Sequence, residues 1–125
     1  MQALIPNCLI LYVASVAHSV EFYRHLLGAA PLEHHPGFAS FQLGEHMVLG
    51  LWTRADVLPV AEAAPGAAEL VIQCASPAEV EARHAAWLAT GWPDLQAPTA
   101  MDFGYTAATA DPDGHRVRVF CPTAS

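Results

Sequence analysis

The sequence lacks any unbroken apolar run of the roughly 18 residues that a membrane helix needs. The opening stretch MQALIPNC has neither the charged start nor the long apolar core of a signal peptide, so a cytosolic protein is expected. Basic residues are scarce: Lys and Arg number 5 against 12 Asp and Glu, a formal net charge of -7. There is no cationic footprint for a phosphate backbone or an anionic bilayer, and neither nucleic acid nor membrane is expected as a partner. The three cysteines, Cys8, Cys74 and Cys121, are odd in number, widely spaced and without a CxxC pair. This argues against a disulfide framework or a zinc knuckle, and the three are read as small buried apolar residues. A GxSxG nucleophile elbow and a Gly-rich dinucleotide fingerprint are both missing. The seven histidines (His18, His25, His34, His35, His46, His84 and His115) show no His-x-x-x-His or His-x-His spacing that would fix a metal from one element.

What the chain does have is apolar residues, 54% of its 125, enough for one domain with a sizeable core. Leu9 to Val13 is a short β-type run. Val16, Val20, Tyr23 and Leu27 then fall at helical spacing, and Gly28 supplies a stop. Phe38 to Leu43 and Met47 to Trp52 flank Gly44-Glu45-His46 as a hairpin, and His34-His35 falls in the loop after Pro31. After Arg54 the composition turns to Ala, Pro and Gly, and Ala61 to Ala68 reads as a connector. The order then repeats: Glu69 to Cys74 is a strand, and Ser76-Pro77-Ala78-Glu79 is a helix start in which Ser caps, Pro opens and Glu stands at the third position. Val80, His84, Trp87 and Leu88 keep the helical period until Gly91, and Trp87 is assigned to the core with Val80 and Leu88. Trp92-Pro93 is either a loop anchor or a patch for another subunit. Tyr105 to Ala110, the DPDG turn and His115 to Cys121 make a terminal hairpin.

One βα-then-strands unit therefore occurs twice, which predicts an α+β fold of two βαβββ modules at about 5–58 and 67–122. Each half is too small to cover its own sheet, so the sheets are expected to pair with each other or with a second subunit around a ligand-sized cleft.

YVASVAHSVEFYRHLLG, LGLW and DPDGHRVRVF, in this order and spacing, resemble the vicinal oxygen chelate superfamily, which holds glyoxalase I, extradiol dioxygenases and the bleomycin-resistance proteins. MVLGLW, PGAAEL and MDFGYT before DPDGHRVRVF look most like its metal-free resistance branch, which binds bleomycin-like or phenazine-type antibiotics. The resemblance implies a homodimer without a cofactor. In the enzymes of the superfamily a divalent metal is held by side chains from the first and last strands of each module. By position those places are Cys8, Gly50, Glu69 and Arg118 here. Gly has no ligating side chain and Arg is a permanent cation, so the set is expected to hold no metal. Arg118 is instead expected to pair with Glu69, its planar guanidinium taking the place of the ion.

Strand alternation then sends Cys8, Ile10 and Tyr12 to the cleft, with Val48, Gly50 and Trp52, with Glu69, Val71 and Gln73, and with Arg116, Arg118 and Phe120. Trp52 and Tyr12 are the leading stacking groups for a flat aromatic ligand. Phe38, Phe41, Phe103 and Tyr105 are expected at the rim, Asp102 orients a polar substituent, and Gly104 lets a turn approach. The reading is a binding protein that sequesters a planar aromatic antibiotic or metabolite without turnover. The alternatives are a metal-dependent lyase or dioxygenase of the same superfamily, a base-catalysed reaction on a ketone or enol by Glu69 beside Tyr12, and a pure interaction module.

Overall fold

The computed structural model describes residues 3–123. The chain divides into two compact units, residues 1–63 and 64–125.

In the first unit, β1 (Cys8–Val13) leads into α1 (Val16–Leu27), followed by β2 (Glu33–His34), β3 (Phe38–Leu43) and β4 (Met47–Thr53). The sheet order is β1-β4-β3-β2, with β1 parallel to β4 and the other pairs antiparallel. Helix α1 starts where the Ser15 side chain accepts from the His18 amide, and ends where Gly28, at φ +65°, donates its N–H to the Arg24 carbonyl. Val16, Val20 and Tyr23 are buried as their spacing predicts, together with Phe22 and Ser19. They meet the strand residues Val13, Ala39, Phe41, Leu49 and Leu51, all fully buried, to form this unit's core. Arg54 opens a single 3-10 turn, and its Nη2 donates to the carbonyls of Ala61 and Ala63 at 3.2 and 2.9 Å, tying the start of the connector to the end of β4.

The second unit repeats the order: β5 (Glu69–Gln73), α2 (Pro77–Ala89), β6 (Gln96–Met101), β7 (Gly104–Ala110) and β8 (Arg116–Pro122), arranged β5-β8-β7-β6 with β5 parallel to β8. Both units are βαβββ modules, and the fold class is α+β as expected. The start of α2 matches its motif: Ser76 Oγ accepts from the Glu79 amide, and the Glu79 carboxylate turns back to accept from the amide of Ala75. In the DPDG turn the Asp111 Oδ1 atom accepts from the amides of Asp113 and His115, both at 2.9 Å.

Three expectations need correction here, and one strand, β6, has no counterpart in the sequence pattern. His34 lies in β2, not in a loop. Leu88 is 44% exposed while Val80 and Trp87 are buried. One residue beyond Trp87 turns the side chain about 100° around the helix, past the edge of the apolar stripe. Strand β6 carries no β-branched or aromatic run and includes Pro98 and a register shift between Gln96 and Thr99, which an edge strand tolerates. Cys8 is exposed at the start of β1, Cys121 is half-buried, and Cys74 alone is buried. The Trp92 ring lies 6.4 Å from that of Trp87, a contact of the kind a loop anchor makes.

Candidate functional site

Each sheet has one face covered by its own helix and one that its helix leaves open. In the first unit, register assigns the faces: Tyr12 stands across from Trp52, and Trp52 across from Phe38. Directly paired residues share a face, so these three aromatics lie together on the open side. The Tyr12 and Trp52 rings meet edge to face at 6.2 Å. Gly50 sits among them, and a Cβ there would come within 3.1 Å of Ile10 and 3.2 Å of Phe38. Gly50 is thus the floor over which Ile10 and Phe38 close. Phe41 belongs to the other side. It is fully buried, pairs with Leu49 and has its ring 6.5 Å from Tyr23 of α1, so the expected rim position does not hold for it.

In the second unit, Arg118 and Glu69 lie on the open face of neighbouring strands. Arg118 Nε donates to both carboxylate oxygens of Glu69 at 3.0 and 3.1 Å, and Nη2 donates to Oε2 at 2.9 Å. The remaining nitrogen, Nη1, donates to Gln96 Oε1 at 2.7 Å and to the Thr106 hydroxyl at 3.1 Å. Gln96 and Thr106 escaped the sequence reading. Gln96 lies on the unrecognised β6, and Thr106 looks like any strand threonine until register sets it beside Arg118. The hydrogen bond from Arg118 is the largest influence on Glu69, and it holds the carboxyl below its ordinary value against the opposing effect of burial, with the charges of Arg118 and Arg116 helping. Glu69 is therefore a paired carboxylate, and the raised pKa that a general base at this position requires is not what its surroundings produce.

These donor sets do not fit the divalent ion of the superfamily's enzymes. In the first unit Cys8 offers a thiol and Gly50 nothing. In the second both oxygens of Glu69 are engaged by a cation. Among the described residues no group of three or more His, Cys, Asp or Glu side chains could hold a metal ion.

The other expected residues scatter. Phe103 is exposed in the β6–β7 turn, its ring 6.1 Å from Phe120 on the open face. Asp102 is exposed beside it, its carbonyl accepting from the Thr123 hydroxyl. Tyr105 points the opposite way, its hydroxyl donating to Glu81 of α2 at 2.9 Å, and so it braces the helix and does not line the open face. That bond, which needs the neutral phenol as donor, pushes the Tyr105 pKa up. Gly104, at φ +150°, passes so close to the backbone carbonyl of Cys121 that no Cβ fits.

The sequence pattern of the Glyoxalase/Bleomycin resistance protein/Dioxygenase superfamily matches residues 5–119. The chain belongs to that superfamily. It is similar to the phenazine antibiotic resistance protein EhpR of Enterobacter agglomerans, at 29% identity over 94% of this chain and 91% of that protein. Among solved structures, protein ATC0852 from Agrobacterium tumefaciens, determined in solution by NMR, is 42% identical, with 98% of this chain and 100% of that one covered and a TM-score of 0.88. A glyoxalase-related enzyme from Fulvimarina pelagi is 25% identical, with coverage of 97% and 88% and a TM-score of 0.83. No helix among the described residues is long and apolar enough to cross a membrane.

Proposed function

We propose that this protein binds a planar aromatic small molecule, an antibiotic or a metabolite, and sequesters it in the cytoplasm without chemical turnover, as a homodimer. The observation that carries the reading is the cluster of Tyr12, Phe38 and Trp52 on the open face of the first sheet, gathered around a glycine. Ring faces and edges held by a rigid sheet suit a flat ligand, each good aromatic contact adding about 0.5 to 1.5 kcal/mol beyond area burial. The Arg118–Glu69 pair, which fits no metal, and the likeness to a phenazine antibiotic resistance protein support the same reading.

The test is a titration of the purified protein with a phenazine series, followed by tryptophan emission and paired with elemental analysis. Saturable quenching that disappears in W52F, from protein free of stoichiometric metal, is the expected result. The variant matters because Trp87 is buried in the second unit and Trp92 leans on it. One divalent ion per chain, or quenching unaltered in W52F, overturns the reading. Sedimentation at micromolar concentration tests the dimer.

A further inference from the structure

The register of β5 against β8 brings together two cysteines that the sequence holds far apart. Gln73 stands across from Phe120, and the amide of Cys74 donates to the Phe120 carbonyl at 2.7 Å. In a parallel ladder that bond sets Cys74 directly opposite Cys121. Pro122 comes next on β8, has no N–H to return to Cys74, and the ladder stops there. Both side chains point toward α2. Cys121 alternates with Phe120 and shares the face of Val117 and Val119, both buried, and Cys74 shares the face of Leu70 and Ile72, opposite Val71 and Gln73.

We propose that Cys74 and Cys121 form an oxidisable dithiol, a modification site at which a peroxide closes a reversible disulfide within one chain. The Cα atoms of neighbouring strands lie about 4.7 to 4.9 Å apart, inside the span a disulfide bridges. The Cβ atoms must still draw closer to reach the roughly 3.8 Å of a relaxed bridge. This pair sits where that movement is easiest, since Cys74 lies just past the last residue of β5 and leads into the bend at Ala75-Ser76. A bridge formed under such strain is readily reduced, which suits a switch better than a structural staple.

The two thiols have different surroundings. Cys121 is half-buried and open to a small oxidant, while Cys74 is covered. Burial first, then the charge of Glu79, pushes the Cys74 thiol up, so Cys74 stays protonated near neutrality. The sequence of steps follows. The Cys121 sulfur attacks one oxygen of hydrogen peroxide, the O–O bond breaks, and Cys121 becomes a sulfenic acid as one water leaves. The Cys74 sulfur then displaces the sulfenic hydroxyl, its proton leaves with that hydroxyl as a second water, and the S–S bond forms. Two thiols are oxidised by two electrons and one peroxide is reduced.

The experiment uses the full chain carrying C8S, which removes the exposed thiol that would join two copies. The folded protein is treated with hydrogen peroxide, alkylated, and analysed by intact and peptide mass spectrometry. Expected are a loss of about 2 Da, the two thiol hydrogens, a joined peptide holding Cys74 and Cys121, and full reversal by dithiothreitol. In C8S/C74S the sulfenic acid should persist at Cys121 and be trapped by dimedone. The unsubstituted chain gives the same joined peptide and guards against a folding defect in the variant. Independent oxidation of the two sulfurs to sulfinic acids, or bridges only between copies, overturns the proposal.

Discussion

Arg118 grips both oxygens of the Glu69 carboxylate, through Nε at 3.0 and 3.1 Å and Nη2 at 2.9 Å, while its other terminal nitrogen is spent on Gln96 and Thr106. These three partners together fix the plane of the guanidinium.

R118M should let the Glu69 pKa rise, because the hydrogen bond that holds it down is the largest influence there. The lowered carboxyl contributes stability that is fully present above its ordinary 4.5 and is lost as pH falls through the folded value. The native chain should therefore lose stability in acid more steeply than R118M, and the gap at neutral pH should be about 0.2 to 1 kcal/mol, the worth of an ion pair that solvent reaches. Urea midpoints across the acid range, with the Glu69 carboxyl followed by NMR, measure both. An unmoved Glu69 would mean that the pair is ornamental.

Trp52→Ala should weaken a bound phenazine by about 1 to 3 kcal/mol through lost area and ring contact. Calorimetric titration reads this directly, and an unchanged affinity would move the site away from the first sheet.

Phe38 and Phe41 separate binding from folding. Phe41→Ala empties a fully buried position against α1 and should cost about 3 to 5 kcal/mol of stability. Phe38→Ala, on the open face, should cost less stability and lower ligand affinity. Thermal melts and binding curves on the two variants should therefore trade places.

Tyr105 should ionise above the ordinary phenol value of 10, because its proton is shared with Glu81. In E81A both the hydrogen-bond acceptor and the charge are gone and the midpoint should fall back, which the absorbance change of tyrosinate follows. A midpoint that stays high in E81A would assign the shift to burial alone.

The sequence made the repeated βα unit legible because caps and stops are local. Ser76, Glu79, Gly28 and the DPDG turn each act within a few residues of themselves. The Arg118–Glu69 pair was legible through the family resemblance, which singled out both positions, and the bidentate contact between them follows. What the sequence hid depends on register. Phe38 and Phe41 are three apart on one strand, an odd step that puts them on opposite faces, and parity counted from Phe38 would have separated them. Tyr105 and Thr106 divide between the helix side and the open side in the same way. β6 was invisible because an edge strand that is solvated and interrupted by Pro98 carries little apolar pattern.

The first strand of each unit pairs with its last, Cys8 beside Val48 and Glu69 beside Arg116. Hairpins such as β3–β4 and β7–β8 close over a few residues, but the parallel pairings wait for a whole module of chain. Assembly should then run from the hairpins outward, the opening strand docking last and setting the rate. On a ribosome β1 leaves the tunnel well before β4 and stays unpaired until β4 has followed it, so it is exposed to wrong partners for longer than either strand of a hairpin.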